Sequence, residues 1–125
     1  MQVLIVDDNI LDRKFLKYIL ERRLQIFPST AKDGYDALKK IKSNSFDLVV
    51  TDIVMPKMEG IELINNIKTL VPQTKIIAVS GNNPYYLYIV KKMGIEAVFT
   101  KPINIDRFIE LINHISQKKA NKIVF

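Results

Sequence analysis

The stretch DLVVTDIVMPKMEGIEL, residues 47–63, sets an apolar, β-branched run against a carboxylate and then against a bend. Leu48, Val49 and Val50 suit a strand buried on both faces, and Asp52 falls where that strand ends. Pro56 and Gly60 mark a loop that must bend back over the strand end before helical spacing resumes at Ile61. The same order recurs outward along the chain: QVLIV precedes Asp7 and Asp8, KIIAV precedes Ser80 and Gly81, and AVFT precedes Lys101 and Pro102.

Short β-branched runs thus alternate with longer segments of helical period, β-α five times over. The pattern predicts strands over 2–6, 25–29, 47–51, 75–79 and 97–99, and helices over 10–23, 35–43, 61–70, 84–93 and 105–117. The fold class that follows is α/β: a flavodoxin-like (βα)5 three-layer sandwich around a central parallel five-stranded sheet. Pro28 removes a ladder donor and places the second strand at an edge, which agrees with the order 2-1-3-4-5. In such a sheet the carboxyl ends of the strands line one edge, and a ligand crevice opens where the first and third strands diverge.

The 125 residues suit one domain, expected over 1–120, with a short C-terminal tail at 121–125 and no effector domain. With 48% hydrophobic and 26% charged residues the composition is globular, and no apolar run approaches the roughly 20 residues of a bilayer span. Asp7 and Asp8 interrupt the first apolar stretch too early for a signal peptide, so the expected location is cytoplasmic, without membrane association. The lack of cysteine excludes disulfides and thiolate chemistry. Net charge is +6, with basic residues grouped at Arg13, Lys14, Lys17, Arg22 and Arg23. No nucleic-acid motif accompanies them, which argues against direct nucleic-acid binding and for a solvated helix face.

Each polar strand end has an ordinary explanation when taken alone. Asp7, Asp8 or Asn9 can cap the first helix, Asp52 can form a turn, and Ser80-Gly81 can be a turn as well. Together they are harder to assign so. Adjacent carboxylates at the end of a buried strand repel one another, and a cation with oxygen ligands relieves that cost. Lys101 at the same edge pairs with carboxylate or phosphoryl oxygens, and Pro102 restricts the peptide that fixes its direction. Three carboxylates, a hydroxyl and an ammonium suit one task above others, holding a divalent cation beside a phosphoryl group.

On VLIVDDN, DLVVTDIVMPKMEGIEL, KIIAVSG and AVFTKP, the chain resembles the CheY-like receiver domains of bacterial two-component response regulators, of the stand-alone type. That resemblance implies that Asp52 is the phosphoryl acceptor. It implies Mg²⁺, with Mn²⁺ as the alternative ion, held by Asp8, Asp52 and the backbone carbonyl of Val54, with Asp7 acting through water. Ser80 and Lys101 would bind phosphoryl oxygens, and Phe99 matches the aromatic switch position. The donor would be a sensor histidine kinase or a histidine phosphotransfer protein. The output would be binding to a downstream protein target or relay of the phosphoryl group. On this reading the chain is not a turnover enzyme but catalyses only its own phosphorylation and dephosphorylation.

Val54 and Asn82 match positions that tune the lifetime of the modified state. By helical period Tyr85, Tyr88, Ile89 and Lys92 share a stripe suited to a partner, whereas Leu87, Val90 and Met93 fit the core side. Ile10, Leu11 and Lys14 lie beside the acidic residues as candidates for donor contact, and the single histidine, His114, reads as a surface residue. The main alternative is a receiver-fold scaffold that binds protein partners without phosphorylation. A Mg²⁺-dependent hydrolase lacks a recognisable substrate loop, and a flavin-binding domain lacks a glycine-rich phosphate loop after the first strand.

Overall fold

The computed structural model describes residues 1–81 and 83–123. In chain order the elements are β1 (Val3–Val6), α1 (Ile10–Leu24), β2 (Ser29–Ala31), α2 (Gly34–Ser43), β3 (Leu48–Asp52), α3 (Gly60–Leu70), β4 (Lys75–Ser80), α4 (Pro84–Lys91), β5 (Ala97–Thr100) and α5 (Ile105–Ile123). The strands form one parallel sheet in the order β2-β1-β3-β4-β5, as the sequence predicts.

Alternation along the buried strands divides the interior into two apolar layers. Leu4, Val6, Val49, Ile76 and Ala78 pack with Ala37 and Ile41 of α2, Leu63, Ile64 and Ile67 of α3, and Val90 of α4. Val3, Ile5, Val50, Ile77 and Val79 pack with Leu16, Ile19 and Leu20 of α1 and Phe108, Ile112 and Ile115 of α5. Local chemistry starts the helices. Asn9 accepts from the amides of Leu11 and Asp12, Asp33 accepts from Asp36, and Asn83 accepts from Tyr85 ahead of Pro84.

The second strand lies later than the expected 25–29. α1 continues to Leu24 and closes on Gln25 in the left-handed conformation (φ 52°), whose N–H donates to Leu20 O. Residues 26–28 are therefore a connection, with Ile26 buried in the α1–α5 layer, and ladder pairing begins where Ser29 meets Leu4. The edge position holds, but Pro28 precedes the strand rather than interrupting it. α4 stops at Lys91 because Lys92 and Met93 turn back onto the carbonyls of Ile89 and Val90. α5 runs beyond the expected 117, so 121–123 of the expected tail belong to it, while Val124 and Phe125 lie outside the described residues.

One carboxylate ties three elements at the amino end of the sheet. Asp47 Oδ2 accepts from Gln2 N–H at 2.6 Å and from Lys119 Nζ at 2.7 Å. Burial works against its charge, but the Gln2 amide and the Lys119 ammonium outweigh it and lower its pKa below the ordinary aspartate value. A lowered folded-state pKa gives stability that is present above the unfolded value of about 3.9 and lost as pH falls through the folded one. Asp47→Asn is expected to cost about 1 kcal/mol at pH 7 in urea unfolding, with the difference from the native chain closing in acid. An unchanged urea midpoint at pH 7 would remove the clamp from the stability account.

Candidate functional site

The register brings the polar strand ends together. Val6 pairs with Thr51, Asp52 with Val79, and Ser80 with Thr100, so Asp7, Asp52, Ser80 and Lys101 leave the sheet along one edge. Asp7 is 2% exposed and Asp52 7%, whereas Asp8 is open to solvent. One carboxylate oxygen from each of Asp7, Asp8 and Asp52 can be chosen so that all lie within 4.8 Å of one another. Such an oxygen-only donor set fits a hard divalent cation.

The helix cap settles which acidic-end residue does what. Asn9 is the N-cap of α1, which leaves both aspartates free of that task; Asp7 Oδ1 accepts from the Asn9 amide at 2.9 Å. Arg13 Nη1 donates to the Asp7 backbone carbonyl at 2.7 Å and fixes the turn from β1 into α1.

Lys101 Nζ lies 3.1 Å from Asp52 Oδ2, 3.5 Å from Asp7 Oδ2 and 3.0 Å from Asp12 Oδ2. Its amide donates to Ser80 O at 2.8 Å, and the Lys101–Pro102 peptide is cis. Burial disfavours the ammonium, but the hydrogen bond to Asp12 and the charges of Asp52 and Asp7 outweigh it and push the Lys101 pKa above the usual lysine range. Burial pushes Asp7 up, opposed by the Asn9 amide and reinforced by the charge of Asp52. Burial likewise raises Asp52, and Lys101 offsets it only in part. Two carboxylates thus sit with incompletely compensated charge, a state that a bound cation relieves.

Ser80 is completely buried, and its Oγ has no hydrogen-bond partner among the described residues. A buried hydroxyl without a partner is rare in native proteins and marks a place where an oxygen-rich ligand finds a donor. The loop from β3 to α3 is held tightly beside it. Val54 N–H donates to Asp52 Oδ1 at 3.3 Å, and Gly60 N–H donates to Ile53 O at 2.7 Å. A Cβ on Gly60 would stand 2.2 Å from Asp52 O, so only glycine allows this approach. Lys57 has φ 69° and pairs with Asp33 at 3.7 Å, joining the loop to the start of α2.

The other expected residues surround this edge without joining the charged group. Phe99 is half-buried and meets Phe108 edge-on, with ring centroids 5.5 Å apart. On α4, Tyr85, Tyr88 and Lys92 are exposed beside a half-buried Ile89, and Lys92 Nζ donates to Tyr88 Oη at 2.6 Å. Tyr86, Val90 and Met93 face the core, while Leu87 is half-buried. Ile10, Leu11 and Lys14 lie exposed on α1 near the acidic edge, the Val54 side chain is exposed, and His114 is on the surface. Asn82 lies outside the described residues.

Asp12 was not legible as a site residue. It stands in the first turn of the helix that follows Asp7 and Asp8, and that proximity was the available signal. Among the described residues no helix is long and apolar enough to cross a membrane.

A family model described as the response regulator receiver domain matches residues 3–113. The chain is 35% identical over 113 residues to the chemotaxis protein CheY of Bacillus subtilis, covering 90% of this chain and 94% of that one. It is 34% identical over 117 residues to CheY of Thermotoga maritima, covering 93% and 98%. Among solved structures, a response regulator receiver domain from Francisella superposes with a TM-score of 0.85 at 29% identity, over 94% of this chain and 98% of the other.

Proposed function

The chain belongs to the response regulator receiver domains of two-component signalling, and from that premise we propose that Asp52 accepts a phosphoryl group from a phosphohistidine on a sensor histidine kinase or histidine phosphotransfer protein. The observation that carries this reading is Lys101 Nζ, 3.1 Å from Asp52 Oδ2, at the same strand edge as the unpartnered Ser80 Oγ. An Asp52 oxygen forms the new O–P bond as the N–P bond of the donor breaks, and the imidazole leaves. Lys101 moves its ammonium from the Asp52 carboxylate onto the phosphoryl oxygens, and Ser80 donates the hydrogen bond that it lacks in the unmodified chain.

Asp8, Asp52 and the Val54 carbonyl would hold Mg²⁺ directly, with Asp7 through water; the ion supplies positive charge that offsets repulsion between carboxylate and phosphoryl oxygens. The chain would act as reactant and catalyst of its own modification rather than as a turnover enzyme. Val54 offers no polar side chain to orient a water toward the acyl phosphate, whereas the amide of Asn82 is of a type that could. As Ser80 is drawn to the phosphoryl group, Phe99 can turn inward, altering the face formed by α4, β5 and α5 where a downstream protein target would bind. The setting would be cytoplasmic. A scaffold that is never phosphorylated has no use for two buried carboxylates raised by desolvation.

The direct test is intact-protein mass after incubation with a small acyl phosphate, with Mg²⁺ or with a chelator. One phosphoryl group added only with Mg²⁺ supports the reading. No adduct, together with no binding of beryllofluoride, would sink it. Ser80→Ala separates two roles of the hydroxyl: the unmodified chain should gain about 1 kcal/mol in urea unfolding, because an unsatisfied buried group is removed. The same change should weaken beryllofluoride binding. A destabilised variant, or one with native affinity, would contradict that assignment.

A further inference from the structure

We propose that Asp12 is a positioning residue that competes with Asp52 and with an incoming phosphoryl group for Lys101, and so restrains phosphorylation by small acyl phosphates. The inference rests on Asp52 being the acceptor.

An ammonium has three donors, and Lys101 has a carboxylate oxygen within 3.5 Å for each: Asp12 at 3.0 Å, Asp52 at 3.1 Å and Asp7 at 3.5 Å. Phosphoryl oxygens arriving at Asp52 take over the donor that Asp52 held, and Lys101 must turn toward them against the pull of the two partners that remain. Asp7 and Asp52 are buried, whereas the Asp12 side chain is 47% exposed and finds water when released. Asp12 is therefore the partner whose hold can be broken without stranding a buried charge.

Its position also ties Lys101 to the α1 side of the site. Asp12 lies in the first turn of α1, a helix anchored by the Asn9 cap and by buried Leu16. A cavity of about 560 Å³ opens here, lined by Asp12, Phe15, Leu16, Lys101, Pro102 and Ile103 among others. The ammonium thus has room on its Asp12 side, while Ser80 lies on β4, the one sheet neighbour of β5. A small acyl phosphate brings no group of its own to engage Asp12, so the cost of releasing Lys101 falls wholly on the transfer step. In that step the Asp52 O–P bond forms, the acyl P–O bond breaks, and a carboxylate departs with the electron pair.

The test compares the native chain with Asp12→Asn, Asp12→Ser and Asp12→Glu at saturating Mg²⁺, each with Lys101 and with Lys101→Met. The phosphorylation rate with acetyl phosphate is followed by intact mass, which registers slow rates as well as fast ones, and beryllofluoride affinity is read by calorimetry. Asp12→Asn should react roughly 3–10-fold faster and bind the analogue tighter by a similar factor, as expected for freeing one partly solvated ion pair. Asp12→Ser should do the same should the amide disturb the helix start, and Asp12→Glu should retain the native rate. The rate gain should vanish with Lys101→Met. Unchanged or slower Asn and Ser variants, a fast Glu variant, or a gain that persists without Lys101 would each overturn the proposal. A native chain that neither reacts nor binds the analogue overturns the acceptor reading along with it, whereas a reactive native chain with indifferent Asp12 variants overturns this inference alone.

Discussion

Asp52→Asn is expected to lose phosphorylation altogether, a fall of at least about a thousandfold, while making the metal-free chain more stable. The amide keeps the shape of the carboxylate but cannot supply the attacking oxygen. Stability moves the other way because burial raises the Asp52 pKa, and the charge and hydrogen bond of Lys101 compensate only in part. A carboxylate with a raised folded-state pKa contributes stability that is fully present below the unfolded value of about 3.9 and is lost as pH rises through the folded value. At neutral pH the apo protein has lost that contribution, and the amide never carries the charge. Tm should therefore rise by about 3 °C at pH 7 with a chelator present, the difference shrinking toward pH 4. Added Mg²⁺ should stabilise the native chain and favour Asp52→Asn much less. A phosphoryl adduct on the variant, or a lower Tm in chelator, would contradict the assignment.

Gly60→Ala should be the most damaging single methyl in the molecule among the glycines. Its Cβ would stand 2.2 Å from Asp52 O and 2.6 Å from Ile53 Cα, both backbone atoms that no rotamer change can move. The β3–α3 loop must shift, and overpacking of that kind costs about 3 kcal/mol. Because that loop carries Val54 and begins at the acceptor itself, the phosphorylation rate should fall by about a hundredfold in the fraction that remains folded. Gly81→Ala is the informative control. There an added Cβ meets nothing within 4 Å, and the backbone is not left-handed. Urea unfolding and phosphorylation rates on the two variants check the contrast, and equal losses would mean that the Asp52–Gly60 approach has no special role.

The layered fold was legible because strands buried on both faces write themselves as continuous apolar runs, and β1, β3 and β4 do so here. The second strand escaped for the opposite reason. Only Ser29, Thr30 and Ala31 pair with β1, and they are polar or small, while the more apolar Ile26 belongs to the connection before them. α5 outran its expected end at 117, and in the added stretch Lys119 contacts Asp47, far away in sequence. Asp7, Asp8, Asp52, Ser80 and Lys101 were legible as a group because strand ends in a parallel sheet share an edge. Asp12 was not, since its part depends on where the Lys101 side chain reaches. Nor could the chain's letters reveal that Ser80 Oγ lacks a partner among the described residues, which is a property of its surroundings.

The Asp47 clamp has a practical consequence for handling the protein. Gln2 and Lys119 meet on one carboxylate at the amino end of the strands, on the side away from the acidic edge. A tether or fluorescent reporter attached beside this clamp should leave the face around Asp52 open to a docking protein.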